Sequence, residues 1–189
     1  MKTLKISAIF IIFLASNPTI SAQESHFKNN YVGFIPSFLV EPYDTINAVE
    51  VNLFPFMYEF RIGNENDIGF QLRPILNYRF FKLESGFSQI GGTLLVNKYF
   101  LNAFAANFWL KPQVGIYYTY AYNRLDKIQT MTLGIEPGAY MKISDDFSLS
   151  LNVQPGINYY PDEASKAFVE TESGFKGHFG VIFNIGYNF

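Results

Sequence analysis

The last fifteen residues of the chain, 175–189, alternate between large apolar side chains and small or polar ones. From Phe179 onward, every second residue is large and apolar: Phe179, Val181, Phe183, Ile185, Tyr187 and Phe189. A period of two residues is the pattern of a β-strand whose two faces meet different surroundings. An apolar strand with a free edge aggregates in water, whereas a strand that closes a membrane barrel has no free edge. The segment therefore predicts a barrel strand whose apolar face meets lipid.

The same alternation recurs along the whole chain. The eight strand-like segments are roughly 30–40, 48–62, 68–81, 87–99, 108–122, 128–143, 147–160 and 175–189. Alternating segments separated by turns are the sequence pattern of a transmembrane β-barrel. The apolar run over 6–15 is shorter than the about 20 residues that a spanning helix needs, and no other run reaches that length. We therefore predict an all-β fold, a single eight-stranded antiparallel transmembrane β-barrel.

The volume of the apolar side chains decides which way they face. A soluble barrel of the lipocalin kind would turn its apolar face inward around a ligand. Eight strands with about five large apolar side chains each supply roughly forty, whereas an eight-stranded barrel has room inside for filling side chains or one small ligand. The apolar set is therefore predicted to face outward. The residues of the other parity have smaller side chains, mostly Gly, Ser, Thr, Asn and Gln, and are predicted to line the lumen.

The first 22 residues have the pattern of a secretory signal peptide. Lys2 and Lys5 precede the apolar run, and the segment ends on small residues at Ala22. Cleavage there leaves one barrel domain, 23–189. Loss of the two lysines reduces the basic residues from 14 to 12 against 16 acidic ones, a mature net charge of −4 that argues against a nucleic-acid partner. The chain has no cysteine, which excludes disulfides and thiolate metal sites.

The signal peptide, the eight alternating segments and the ending G-V-I-F-N-I-G-Y-N-F resemble the small outer-membrane β-barrel proteins, the OmpA/OmpX-like group. The resemblance covers about 23–189. It implies residence in the outer-membrane bilayer of a Gram-negative-type cell. It also implies a partner during biogenesis, the barrel-assembly machinery, which in that group reads the last strand. In this chain the apolar row from Phe179 to Phe189 would be that assembly signal, with Tyr187 and Phe189 as its final aromatics.

A recurring proline interrupts the alternation. The pattern apolar-x-apolar-x-Pro stands in six of the eight segments, at Pro36, Pro55, Pro74, Pro112, Pro137 and Pro155. Proline cannot donate to a strand ladder, so each one is predicted to lose a bond or mark a bulge. The apolar parity of the second segment switches at Pro55, which predicts a bulge there. The stretch 98–107 should be a short turn but is long and apolar, and a short helix or extended strands are both open for it.

Charged side chains fall on the parity that is predicted to face the lumen. They are Arg73, Arg79, Lys111, Glu136 and Lys142. A bulge at Pro55 adds Glu59 and Arg61 to this lumen charge network. Buried charges need partners, so we predict a filling of salt bridges, with Lys111 paired to Glu136. A narrow ion or water path is the alternative for the same residues.

One histidine on the lumen parity is the only candidate for chemistry. Outer-membrane lipid A deacylases and palmitoyltransferases are similar in size and fold, and both use a His–Ser pair with an acidic partner. His178 could form such a triad with Ser173 and either Glu170 or Glu172 of the preceding loop, but Gly180 occupies the position of the deacylase serine. We therefore expect no enzyme activity, no catalytic residues, and no cofactor or metal site, since the second histidine, His26, is distant in sequence.

The longest predicted loop, 161–174, carries four acidic residues, one lysine and Phe168. It is predicted to be either a solvated loop or a contact for an unknown surface partner. The sequence as a whole favours an integral outer-membrane protein with a side-chain-filled interior and a structural or surface-interaction role. A narrow channel and a lipid-modifying enzyme are the two alternatives.

Overall fold

The computed structural model describes residues 28–36, 38–43, 46–63, 67–80, 85–100, 110–144 and 146–189. The predicted signal peptide, 1–22, and His26 lie outside these residues. The strands are β1 (Asn30–Phe34), β2 (Phe38–Tyr43), β3 (Ile46–Asn52), β4 (Phe56–Ile62), β5 (Ile68–Phe80), β6 (Gly86–Tyr99), β7 (Leu110–Asn123), β8 (Ile128–Lys142), β9 (Phe147–Tyr159) and β10 (Phe175–Asn188). One short helix, α1 (Glu163–Phe168), precedes β10. No described helix is long and apolar enough to cross a membrane.

The ten strands form one sheet that closes on itself. The order is β2-β3-β5-β4-β1-β10-β9-β8-β7-β6, and a further pairing of β5 with β6 completes the ring. Every pairing is antiparallel. β1 and β2 are two parts of one interrupted barrel strand, and β3 and β4 are two parts of the next. The structure therefore confirms the predicted eight-stranded antiparallel barrel.

The second barrel strand contains the predicted bulge. Phe34 pairs with Phe56, and Phe38 pairs with Val51, so three residues on one side oppose four on the other. The Asn52 side chain replaces part of the missing ladder. Its carbonyl accepts from the Phe54 and Leu76 backbone N–H groups at 2.9 and 3.2 Å. The extra residue reverses the facing of everything after it, as a one-residue shift must.

The other prolines weaken the ladder without shifting it. Pairing between β8 and β9, both fully described, runs to Gly134↔Gly156 and resumes at Gly138↔Asn152 in the same register. Pro137 and Pro155 lie in the interrupted stretches. The loss of ladder contacts between β8 and β9 at these two prolines is confirmed. On their other sides, Pro137 and Pro155 keep regular ladder positions, as Pro74 does with β6 and Pro112 with β8.

Apolar side chains cover the outside of the barrel, and polar ones fill its inside. Phe179 is 69% exposed, whereas Glu136 is 1% exposed. The predicted outward row is exposed along its whole length: Phe179, Val181, Phe183, Ile185, Tyr187 and Phe189. Asn184 and Asn188, on the other parity of β10, are buried. A soluble protein buries the first kind of residue and exposes the second, so this wall is built to face hydrocarbon.

The irregular stretch after β6 is described only in part. β6 continues through Lys98 and ends at Tyr99, so the strand does extend into the region predicted as ambiguous. Residues 101–109 lie outside the described part of the chain.

Candidate functional site in the barrel lumen

The lumen divides into two halves along the barrel axis. The terminal half lies at the end that holds both Asn30 and Phe189, which exchange backbone hydrogen bonds of 3.1 and 3.0 Å. The loop half lies at the end that holds α1 and the turn 124–127. The two halves differ in how completely side chains fill them.

A first polar layer closes the terminal half. Glu59 and Arg61, which the bulge turns inward, are 0% and 1% exposed and form an ion pair. The Tyr99 hydroxyl lies 2.9 and 2.7 Å from the two Glu59 carboxylate oxygens, and Gln71 donates to the same carboxylate. A side chain at Gly69 would come within 2.7 Å of Glu59, so the glycine makes room for the carboxylate.

Three tyrosines surround the Arg61 guanidinium in this layer. Its carbon lies 5.1, 5.2 and 5.5 Å from the ring centres of Tyr31, Tyr99 and Tyr140. Desolvated cation–π contacts of this kind are favourable. Arg61 also donates to the Asn188 side chain at 2.8 Å. The sequence analysis missed these tyrosines because it assigned aromatic residues to the outer wall. The signal that could have found them is their parity, which places them on the same face of their strands as the charged lumen residues.

A second polar layer lies next to the first, toward the loop half. Arg73 donates to both oxygens of Glu136, at 2.6 and 2.7 Å. Asn152 and Gln154 donate to the same carboxylate at 2.8 and 2.5 Å. Gln71 joins the two layers, since it accepts from Arg73 at 2.6 Å and donates to Glu59 in the first layer. The lumen charge is therefore held in one continuous, hydrogen-bonded network.

The predicted pair of Lys111 and Glu136 is wrong. Lys111 lies opposite Tyr140, and Glu136 lies opposite Gly115, so the two are four positions apart along the ladder. At about 3.4 Å per residue, that offset prevents an ion pair. Lys142 lies opposite Ser148, farther still toward the terminal end of β8. Of the predicted network, the structure brings Arg73 and Glu136 together and places Arg79 in the loop half.

The loop half is an open vestibule. It is a cavity of about 810 Å³, in the size range of ligand pockets, and Arg73 and Gln154 of the second layer lie at its floor. Amides and hydroxyls supply most of its polar lining: Asn77, Gln89, Thr93, Thr119, Asn123, Thr130, Thr132 and Asn158. Arg79 and Asp126, which also line it, form an ion pair of 3.2 Å. The lining charges are therefore mutually compensated.

His178 lines the vestibule, but the triad drawn from the sequence is not assembled. Its ring contacts that of Tyr117 edge-on, with centroids 6.4 Å apart. The Ser173 hydroxyl instead contacts Thr171 and accepts from the Phe175 N–H at 3.3 Å. No hydrogen bond or ion pair among the described residues joins His178 to Ser173 or to the loop acids. Nor does any group of three His, Cys, Asp or Glu side chains in this part of the chain suit a metal ion.

Helix α1 forms part of the predicted long loop and covers one side of the vestibule rim. The Asp162 carboxylate caps it by accepting from the Ser165 hydroxyl at 2.7 Å and from the Ser165 N–H at 2.8 Å, and these hydrogen bonds lower the pKa of Asp162. Ser165 is buried, and its hydroxyl accepts from the Gln129 N–H of β8 at 3.0 Å. Phe168, 54% exposed, contributes to the vestibule lining. The loop is therefore structured where it joins the barrel.

The vestibule also reaches the barrel wall. Ile35 and Pro55, which flank the bulge, line it together with Phe56, Phe179 and Ile182. Phe56 and Phe179 are wall residues, 45% and 69% exposed. The vestibule is therefore lined by wall residues as well as by lumen residues beside the bulge.

Comparisons with known proteins give a likeness of fold alone. No protein-family model matches the chain, and no curated protein matches it by sequence. Among solved structures, the chain is similar to the outer membrane protein OprG from Pseudomonas aeruginosa, at 10% identity and a TM-score of 0.46. The match covers 88% of this chain and 98% of OprG.

Proposed function

We propose that this chain is an integral outer-membrane protein that does not pass solutes straight through its lumen and that acts through its loop half. The carrying observation is the pair of polar layers in the terminal half. Arg61, Glu59 and Glu136 are almost completely buried there, with Arg73 beside them. A water-filled path would require both layers to come apart, leaving several buried charges without partners. The open surface for interaction is the vestibule with its rim, including the loop 161–174.

Conductance of the purified protein in planar bilayers tests this proposal. We expect no single-channel steps above baseline for the wild type, because the two layers close the lumen in series. A control in which the second layer alone is removed, Arg73→Ala with Glu136→Ala, should also remain closed, since the first layer is intact. Regular steps from the wild-type protein would support the alternative of a narrow ion or water path and overturn the proposal.

We also propose that the chain is not an enzyme. The support is the surroundings of His178. Its ring contacts Tyr117, and no hydrogen bond among the described residues joins it to Ser173. Mass spectrometry of lipid A from cells with wild-type protein and with His178→Ala should give identical profiles. A lipid A species that depends on His178 would establish the lipid-modifying alternative.

We further propose export through a signal peptide at 1–22 and insertion by the barrel-assembly machinery through the last strand. The support is the outward row that ends in Tyr187 and Phe189. Deletion of Phe189 should lower the amount of assembled protein more than Phe179→Ala, which truncates the same row far from its end. The measurement is heat-modifiable gel migration of outer-membrane fractions. Equal assembly of the deletion variant and the wild type would remove the assembly role.

A further inference from the structure

The wall of the vestibule carries uncharged polar side chains in two tiers. The lower tier crosses four adjacent strands, and each of its members lies opposite the next in the ladder: Thr93, Thr119, Thr132 and Asn158. The upper tier lies four residues closer to the loop end and consists of Asn77, Gln89 and Asn123. At about 3.4 Å per residue, the two tiers are about 14 Å apart along the strands.

The band of wall between the two tiers has almost no side chains on β6 and β7. Gly91 and Ala121 lie opposite each other there, and Thr130 lies beside Ala121 on β8. A side chain at Gly91 would collide with the Tyr120 carbonyl oxygen of β7, so this position has to remain a glycine. The wall is therefore indented between two rows of polar groups. We call this indentation, together with the tiers that border it, the recess.

The hydrogen bonds within the tiers leave several polar groups without partners. Thr93 and Thr119 share a hydrogen bond of 2.7 Å, which uses one of their two hydroxyl protons. Gln89 accepts from Asn77 at 2.9 Å, and its own amide nitrogen donates to no described residue. The Thr130 hydroxyl, which also lines the vestibule, has no partner in the described part of the chain either. The recess therefore offers both donors and acceptors to a ligand.

The charged residues beside the recess are already compensated. Arg73, at the floor of the vestibule, donates to both oxygens of Glu136. Arg79, near the upper tier, is paired with Asp126. A charged ligand that leaves water needs an opposite charge to receive it, and these ion pairs would have to break to supply one. The recess therefore suits an uncharged ligand.

We propose that the recess binds a neutral carbohydrate. A sugar ring carries hydroxyl groups around its edge, each of which donates and accepts, and C–H groups on its two faces. With one face against Gly91 and Ala121, the edge of the ring lies between the tiers and beside Thr130. Pockets for drug-like ligands are mostly apolar, whereas this lining matches a ligand that is itself mostly polar. The proposal rests on the proposed function and deepens it, because it names the ligand class of the same vestibule.

The rim adds an aromatic ring on the same side of the vestibule. Helix α1 is joined to β8 by the hydrogen bond from the Gln129 N–H to Ser165, one residue before Thr130. From this helix, Phe168 lines the vestibule while it remains 54% exposed. An aromatic ring offers a flat apolar face, which the C–H face of a second sugar ring can cover. We therefore expect a short oligosaccharide that extends from the recess to the rim.

Sugar titration of the protein in phosphatidylcholine nanodiscs tests the proposal. Lipid is required because alkyl-glycoside detergents carry sugars of their own. The probes are uncharged trisaccharides, namely maltotriose, cellotriose, mannotriose and N-acetylated chitotriose, and binding is measured by saturation-transfer NMR. We expect at least one of them to bind with a Kd of about 1 mM or below. Absence of binding by all of them would overturn the proposal. Tighter binding of trigalacturonate, of unacetylated chitotriose or of a blocked, uncharged tripeptide would also overturn it.

Two variants test whether the sugar lies in the recess. Ala121→Leu fills the indentation without changing charge or either tier, and it should weaken binding about tenfold or more. Thr130→Val removes one hydroxyl at nearly constant shape and should weaken binding about 3- to 10-fold, the effect of one hydrogen bond. Ala139→Leu is the matched control, because Ala139 lies opposite Leu151 on the outward face and should not affect binding. Heat-modifiable gel migration checks that each variant is folded.

Unchanged binding in folded Thr130→Val and Ala121→Leu would place the sugar elsewhere and overturn the proposal. The failure of this proposal and that of the proposed function are distinguishable. Single-channel steps would show that the lumen is not closed, but they would not alter a sugar affinity that depends on Ala121 and Thr130. Absence of sugar binding would overturn the assignment of the recess and leave the closed lumen in place.

Discussion

Two ion pairs on one strand show how differently the two halves of the lumen are built. Arg73 and Arg79 both lie on β5, six residues apart. Arg73 meets Glu136 in a layer where the side chains are 6% and 1% exposed, whereas Arg79 meets Asp126 where they are 14% and 26% exposed. Around Arg73, amides satisfy every charged oxygen of its partner. Around Arg79 the vestibule leaves room for solvent. An arginine–carboxylate ion pair therefore helps to close the lumen in one half, and in the other half it lines the open vestibule.

The largest effect is expected from the first layer of the terminal half. Arg61→Met removes the cation but leaves Glu59 fully buried. Breaking a buried pair from one side costs about 3–5 kcal/mol of unfolding free energy. Urea unfolding in lipid vesicles measures it. The double variant Arg61→Met with Glu59→Gln should regain most of the loss. If Arg61→Met lowered the unfolding free energy less than Arg79→Gln in the vestibule does, the terminal half would not be sealed.

A smaller effect is expected from the second layer. Glu136→Gln keeps a polar group of the same shape but removes the charge that Arg73 requires. A buried charged group that loses its partner costs about 1–3 kcal/mol or more. We expect a lower temperature for the heat-modifiable shift in gel migration. Adding Arg73→Gln should move that temperature back toward the wild type, and an unchanged temperature in the single variant would argue against this pairing.

A still smaller effect is expected in the vestibule. Arg79→Gln breaks the pair with Asp126 where water can solvate the carboxylate. Exposed or half-exposed ion pairs contribute about 0–1 kcal/mol. The same urea titration as for Arg61→Met gives a direct comparison, with Asp126→Asn as the control for the other partner. A loss equal to that of Arg61→Met would remove the distinction between the two halves.

The smallest effect is expected at the rim, where it should be local and depend on pH. Hydrogen bonds from Ser165 lower the pKa of Asp162 below its usual value of 3.8. A depressed pKa in the folded state means that the cap is formed above that value and is lost as the pH falls through the lower, folded pKa. NMR chemical shifts of the Ser165 amide should follow this titration. Asp162→Asn should keep the cap and abolish its pH dependence, and a titration that survives this change would assign it elsewhere.

The sequence predicted the direction of most side chains correctly but not the partners across the lumen. Parity along each strand places Arg73 and Glu136 inside, because neighbouring residues of a strand face opposite sides whatever lies next to them. Lys111 and Glu136 each precede a strand proline on neighbouring strands, and the pairing predicted from these positions is wrong. The true partner, Arg73, lies on β5, which is not adjacent to β8 in the sheet. Contacts across a barrel depend on strand stagger and tilt, and these are properties of the closed ring.

The bulge at Pro55 was predictable from the sequence, but the cluster that it creates in the lumen was not. The switch of apolar parity at Pro55 was sufficient to predict an extra residue, and it turned Glu59 and Arg61 inward as expected. The sequence did not indicate that Tyr31, Tyr99 and Tyr140 would gather around Arg61. These residues come from strands that meet only when the ring closes. An aromatic residue that faces the lumen predicts contacts across it only once the lumen is known to be narrow.

The alternation alone determined that this chain forms a membrane barrel with an apolar outside, because a period of two residues and too much apolar volume for the interior leave one solution. The tertiary structure decided where the lumen is closed and where it is open. Closure in the terminal half follows from two layers of charges that find partners across the ring. Openness in the loop half follows from smaller amides and hydroxyls that cannot span it.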